Sequence, residues 1–101
     1  MRYGLDEKTI EKIQQTFNKH KTISEAILYG SRAKGNFKEG SDIDLTLKGN
    51  SSLETLNQIR NDLDNLNLPY TFDLSLFAEI DNQALLDHIK RVGTVFYSKT
   101  K

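Results

Sequence analysis

Residues 23–48 read ISEAILYGSRAKGNFKEGSDIDLTLK, and this stretch decides the fold. It opens with an apolar segment, residues 23–29, that ends at a glycine-serine pair. A polar loop follows, and then polar and apolar residues alternate over residues 42–48. Alternation with a period of two is typical of a β-strand that buries one face. The stretch therefore predicts two strands, with a brief helical turn that begins at Ser31 between them.

The residues on either side of this stretch predict further helices and strands. Asp6 and Asp81 are expected to cap the first and last helices, because a side-chain oxygen at the N-cap can accept from a free backbone amide. Ser51 and Glu54 form a potential capping box, and Gly93 is expected to end the last helix. Helical and strand periodicities predict helices at residues 6–20, 52–66 and 82–92 and strands at residues 70–77 and 95–97.

This order of elements predicts an α/β fold in which helices pack on a small central β-sheet. A mixed sheet is favoured over a purely parallel one, because the last strand is short. The 101 residues fit one domain, residues 1–101.

Composition excludes several classes of function. The 14 basic and 14 acidic residues give zero net charge, which argues against binding to long nucleic acids through general electrostatic attraction. The chain has no cysteine, so disulfide scaffolds and thiolate metal sites are excluded. It shows no signal peptide and no apolar run of membrane-spanning length, so we expect a cytoplasmic protein without membrane contacts.

Three aspartates are the candidate catalytic and metal-binding residues. Asp42 and Asp44 share one face of their predicted strand, with Cα atoms about 6.6 Å apart. Asp73 lies in the next predicted strand and can face the same cleft if the two strands are neighbours. Three converging carboxylates suit two Mg²⁺ ions that clamp the attacking and leaving oxygens of an in-line displacement. The alternative is a solvated strand face without a metal.

Gly30 and Ser31 are the candidate phosphate-binding residues. Glycine after a strand permits a close approach of the backbone, and Ser31 stands where a helix begins and free amides attract phosphate. Arg32 and Lys34 follow and add local positive charge. These residues are candidates for binding a nucleoside triphosphate, although glycine-serine pairs and loop lysines are each common without such a role.

Other known sites fail on inspection. The chain contains neither a P-loop nor a dinucleotide-binding glycine motif, and residues 42–49 lack the ligand pattern of an EF-hand. His20 and His88 fall on different predicted helices without zinc partners, and His88 is expected at the edge of its helix.

Taken together, Gly30-Ser31, ten intervening residues and Asp42-Ile43-Asp44 resemble the signature of the polymerase-β-like nucleotidyltransferase superfamily. Asp73, in an apolar strand after a helix, is similar to the third carboxylate of that family. The short chain resembles in particular the minimal nucleotidyltransferases (MNT proteins), which are typically paired with a small helical HEPN protein in toxin–antitoxin systems.

The resemblance implies a function for each candidate residue. It implies that Asp42 and Asp44 bind both Mg²⁺ ions, and that Asp73 binds the catalytic one and accepts the proton of the incoming hydroxyl. Gly30 and Ser31 are implied to hold the β- and γ-phosphates of ATP, the substrate. It implies an adenylyltransferase that modifies a tyrosine of a HEPN toxin.

Two alternatives remain open from the sequence. One is a nucleotidyltransferase that acts on a small molecule or an RNA end. The other is a non-catalytic antitoxin that masks its partner, although a binding-only protein has no need of mutually repelling carboxylates. The sequence identifies neither the acceptor nor the preferred base.

Overall fold

The computed structural model describes residues 2–99, and helices and strands follow one another there in the predicted order. The predicted domain of residues 1–101 thus extends slightly outside the described range at both ends. The elements are α1 (Glu7–Asn18), β1 (Ile23–Tyr29), α2 (Ser31–Lys34), β2 (Ile43–Gly49), α3 (Leu53–Asp64), β3 (Phe72–Leu76), a 3₁₀ turn (Phe77–Glu79), α4 (Gln83–Val92) and β4 (Thr94–Ser98).

The strands form a mixed sheet in the order β3-β2-β1-β4. Strand β1 is antiparallel to both β2 and β4, whereas β2 and β3 are parallel. Parallel strands need a crossover, and α3 supplies it between β2 and β3. The predicted α/β fold with a small mixed sheet is therefore confirmed, and the two strands that carry the aspartates are neighbours.

The helix caps confirm two sequence predictions and correct two. Helix α4 ends at Val92 with Gly93 as its C-cap, as expected. The Asp6 side chain accepts from the Thr9 amide at 2.8 Å, as expected. The cap of α3 is Ser52 rather than Ser51, and the cap of α4 is Asn82 rather than Asp81. In each case the residue one position later is the one whose side-chain oxygen lies within reach of a first-turn amide.

The sheet has two different faces. We call the face that packs against α1 and α3 the core face, and the face that carries the aspartates and is partly covered by α4 the site face. Because successive strand residues point to opposite faces, the apolar residues of the strands gather on the core face, where they are buried. Its strand residues are Ile23, Ala26, Leu28, Ile43, Leu45, Leu47, Leu74, Leu76, Phe96 and Tyr97.

Within residues 2–99, no helix has the length and apolarity needed to cross a bilayer.

Candidate active site

The structure brings two of the predicted carboxylates side by side on the site face. Asp44 is the second residue of β2, and it is the direct register partner of Asp73 on the parallel strand β3. Neighbouring strands lie about 4.8 Å apart, and paired residues leave the same face of the sheet. The two carboxylates therefore emerge next to each other, with Asp44 half-buried and Asp73 exposed.

Asp42, the third carboxylate, lies one residue before the start of β2. Its side chain accepts a hydrogen bond from the hydroxyl of Thr71, which lies just before the start of β3. The adjacent backbone is joined as well, because the Ile43 amide donates to the Thr71 carbonyl at 2.9 Å. Thr71 thus fixes the exposed Asp42 carboxylate at the same end of the two strands as Asp44 and Asp73.

The electrostatic environment of Asp44 shows that the three acids interact. Burial raises the pKa of the Asp44 carboxyl from 3.8 to about 6, and the charges of Asp73 and Asp42 add to this shift. The positive charge of Arg32 acts in the opposite direction. The charged form of Asp44 is therefore disfavoured in the protein alone, and a bound cation is the simplest group that would reverse this.

The residues present fit a divalent cation. In residues 2–99, no three His, Cys, Asp or Glu side chains already stand in a geometry that holds a metal ion. The oxygen-only donor set and the concentrated negative charge nevertheless suit Mg²⁺, which keeps several water ligands and binds through few protein carboxylates. Asp44 and Asp73, with Asp42 at the same strand ends, are the residues that would hold it.

The residues that follow the carboxylates on the site face are polar, and their hydroxyl groups are hydrogen-bonded. Thr46 follows Asp44 on this face and is completely buried, and Ser75 is its register partner on β3. The Ser75 hydroxyl donates to Thr46 Oγ1 at 2.9 Å. A hydrogen-bonded pair of this kind costs little to bury.

Gly30 closes the site from the end of β1. Its φ of 76° and ψ of −157° are accessible to glycine alone without strain. A Cβ atom added at Gly30 would overlap the Asp44 carboxylate. The glycine therefore lets the backbone that leads to Ser31 pass directly against the Asp44 carboxylate. A site in which carboxylates and a phosphate share a cation requires such a close approach. Ser31 is the first residue of α2 and is half-buried.

The two basic candidates have different environments. The Arg32 side chain is only 3% exposed, and its guanidinium donates to the carbonyls of Ser41 and Tyr3 at 2.8–3.1 Å. These contacts join α2 to the loop before β2 and to the N-terminal segment. Lys34 is exposed and free to reach a ligand. Arg32 is placed to shape the turn, so Lys34 is the better candidate for direct contact with a triphosphate.

Three residues of the site were missed by the sequence reasoning. Thr71, Tyr29 and His88 each contact a candidate residue or lie directly beside one. Tyr29 is the β1 partner of Asp44, and burial, together with the charges of Asp73 and Asp44, raises the pKa of its phenol. His88 lies half-buried against Gly30 rather than merely at the edge of α4. The strand alternation of Thr71 with Asp73 was a usable signal, whereas nothing local to His88 indicated its contact.

Comparison with known proteins identifies a sequence family. The profile of the family described as "Polymerase beta, Nucleotidyltransferase" matches residues 11–101, which include every candidate residue. No curated protein matches the chain significantly.

Solved structures share the fold at low sequence identity. A chain from a crystal structure of a toxin–antitoxin pair with AMP-PNP superposes with a TM-score of 0.69 and 18% identity, over 95% of this chain and 76% of that one. A chain from the complex of a tri-AMPylated Shewanella oneidensis HEPN toxin with its MNT antitoxin gives 0.67 and 14%, over 94% and 74%. A putative nucleotidyltransferase from Sulfolobus solfataricus gives 0.50 and 18%, over 95% and 92%.

Proposed function

Because the chain belongs to the polymerase β nucleotidyltransferase family, we propose that it transfers AMP from Mg²⁺-ATP to a hydroxyl group of a partner protein. The acceptor in this proposal is a tyrosine of a small helical HEPN toxin, which makes the chain an antitoxin. The observation that carries the proposal is the placement of Asp44 and Asp73 side by side, directly against the Gly30–Ser31 turn.

The choice of nucleotide and partner rests on the structural neighbours. One of them is a toxin–antitoxin pair with AMP-PNP, and another holds a tri-AMPylated HEPN toxin in complex with an MNT antitoxin.

The proposed reaction forms one bond and breaks one. The acceptor oxygen attacks the α-phosphorus of ATP and forms an O–P bond, while the bond from the α-phosphorus to the bridging oxygen breaks and pyrophosphate leaves. The acceptor hydroxyl loses its proton to Asp73, which is exposed at the open side of the site. Catalysis of this kind depends chiefly on positioning and on stabilisation of developing charge.

The residues of the chain divide these tasks. When bound, Mg²⁺ would neutralise the charge on the phosphates and help to orient them. Asp42, Asp44 and Asp73 would hold the cations, and Thr71 holds Asp42 in place. Gly30 lets the backbone approach, Ser31 donates to the β- and γ-phosphates, and Lys34 adds positive charge near the leaving pyrophosphate.

The test is an incubation of the chain with Mg²⁺, a candidate HEPN partner protein, and ATP labelled at either the α- or the γ-phosphorus. We expect the partner to retain the α label and not the γ label, because pyrophosphate leaves. Peptide mapping is expected to place AMP on a tyrosine. The Asp44→Asn variant should give no transfer, and Asp81→Asn, an exposed aspartate outside the site, is the matched control.

Each alternative gives a different result in the same experiment. An RNA-directed enzyme would leave the partner unlabelled and label an added RNA end. A masking antitoxin would bind the partner tightly but transfer no label. Retention of the γ label would show phosphoryl transfer and would overturn the proposed reaction. The expected cytoplasmic location stays a prediction.

A further inference from the structure

The amide of Gly30 has a partner far away in the sequence. It donates to Nε2 of His88 on α4 at 3.2 Å, across 58 positions of the chain. Because a backbone N–H can only donate, Nε2 must accept, and the ring is then neutral with its proton on Nδ1. The Gly30 carbonyl is bonded within α2, where it accepts from the Lys34 amide at 3.0 Å.

This contact lies at the junction between a strand and a helix. Gly30 lies between the end of β1 and the start of α2, in a conformation that only glycine adopts freely. The Gly30 backbone also lies against the Asp44 carboxylate. The hydrogen bond to His88 restrains the plane of the peptide between Tyr29 and Gly30, which leads directly into Ser31.

His88 is itself held by a rigid support. Its ring packs edge-on against Tyr29, with 6.2 Å between the ring centres and an interplanar angle of 82°. Tyr29 is the register partner of Asp44. The next residue on α4, Ile89, is buried in an apolar cluster with Ile27 and Tyr29. Helix α4 therefore contacts the Gly30–Ser31 turn, at Gly30, and the β1 residue that pairs with Asp44.

We propose that His88 is a positioning residue, which holds the Gly30–Ser31 turn at the correct distance from Asp44 by accepting the Gly30 amide proton. It touches neither nucleotide nor acceptor, and its effect on catalysis rests on the proposed nucleotidyl transfer. Because the Gly30 amide already donates to His88, a phosphate would be bound by Ser31 and by donors that follow it in the chain. A misplacement of about 1 Å in such a site can lower the rate about 100-fold.

The first test measures the contact in the wild-type protein without reference to activity. Nitrogen-15 NMR of the histidine rings is expected to show His88 protonated on Nδ1, with a scalar coupling between Nε2 and the Gly30 amide nitrogen. Protonation on Nε2 instead of Nδ1 in the neutral ring would overturn the proposal. Because this spectrum needs no substrate, it separates failure of the contact from failure of the proposed function.

The second test compares two substitutions at His88. His88→Gln keeps an acceptor oxygen at about the reach of Nε2, whereas His88→Leu keeps a side chain of similar bulk and removes the acceptor; both residues favour helices. We expect His88→Leu to lower kcat for AMP transfer about 10- to 100-fold and to speed hydrogen exchange of the Gly30 amide. His88→Gln should keep kcat within about 3-fold of the wild type, and its Gly30 amide should stay protected.

Arg91→Gln, an exposed substitution on the same helix, controls for general effects on α4. Equal losses in His88→Leu and His88→Gln, or wild-type rates in both, would show that the accepted hydrogen bond is not what His88 contributes. Should His88→Leu lower Tm strongly, the Gly30 exchange rate and kcat of His88→Gln still decide the question, because that variant retains the acceptor.

Discussion

The two faces of strand β2 differ in what they do for the protein, although their residues alternate along seven positions. On the core face, Ile43, Leu45 and Leu47 are almost completely buried among the apolar side chains of α1 and α3. On the site face, Asp44 is half-buried beside another carboxylate, and Thr46 is buried with a hydrogen-bonded hydroxyl.

This difference shows how a chain of 101 residues maintains an unfavourable group of charges. The core face supplies the burial that stabilises the fold, at about 25 cal/mol for each Å² of apolar surface removed from water. The site face carries a carboxyl whose pKa is raised, which is a destabilising arrangement in the absence of a cation. Neighbouring residues on β2 should therefore separate stability from activity.

The largest expected effect comes from Asp44→Asn. If the acid holds a cation that stabilises the transition state by several kcal/mol, its loss lowers kcat/KM for AMP transfer by about 1,000-fold or more. The fold should be as stable as the wild type or slightly more stable at pH 7, because a repelled, half-buried charge is removed. Transfer assays and urea unfolding of the two proteins measure both quantities.

Asp81→Asn serves as the matched variant, since Asp81 is exposed and lies outside the site. It should change neither transfer nor stability measurably. Transfer by Asp44→Asn at the wild-type rate would remove the metal-binding role from Asp44, whereas a large loss of stability would show that the acid supports the fold.

The opposite result is expected for the adjacent residue. Leu45 is fully buried on the core face, so Leu45→Ala should lower the free energy of unfolding by about 2–5 kcal/mol through lost transfer energy and the cavity that remains. The activity of the folded fraction should stay near that of the wild type. Chemical unfolding, together with transfer rates corrected for the folded fraction, tests this; a specific loss of kcat in the folded protein would contradict the separation of the two faces.

The same contrast explains which features could be predicted from the sequence. The alternation in β2 and β3 predicted which side chains share a face, and Asp44 and Asp73 are indeed register partners. Periodicity is a local property, and the burial of one face enforces it. The helix caps Ser52 and Asn82 were each missed by one residue, because adjacent polar residues offered equivalent caps in the sequence.

The contacts that could not be predicted join distant parts of the chain. The bond from Gly30 to His88 depends on how α4 crosses the site face, and no local pattern encodes that crossing. Arg32 illustrates the same limit, since a basic residue directly after the Gly30–Ser31 turn suggests a ligand contact. Its burial against the carbonyls of Ser41 and Tyr3 became apparent only once the segments were packed together.

A smaller effect is expected from the ligand. ATP with Mg²⁺ at about 100 times its Kd should stabilise the protein by about 2.7 kcal/mol, which for a domain of this size raises Tm by roughly 10–20 °C. ATP with a chelator should raise Tm far less, because the carboxylates then repel the phosphates. Thermal unfolding with each mixture tests this for the wild type and for Asp44→Asn, which should lose most of the difference. Equal shifts with and without the metal would show that the triphosphate binds independently of the acids.

The smallest expected effect is the contribution of Asp44 to the pH dependence of stability. Burial and the charges of Asp73 and Asp42 raise the pKa of the Asp44 carboxyl to about 6 in the folded protein, against 3.8 as its ordinary value. Between these two values the folded state binds more protons than the unfolded state, so this group makes stability fall as pH rises. The destabilisation is fully present above pH 6 and is relieved as pH falls through 6 toward 3.8. Its size is on the order of 1 kcal/mol or less, since solvent partly screens the carboxylate.

Asp44→Asn lacks this titration, so its stability advantage over the wild type should be larger at pH 7 than at pH 5. Urea unfolding of the two proteins at both values measures the difference, and the other carboxyl groups largely cancel because both proteins contain them. An advantage that grows as pH falls would mean that the ionised Asp44 is stabilised by the fold. The site face would then resemble the core face in supporting the structure, contrary to the division of roles along β2.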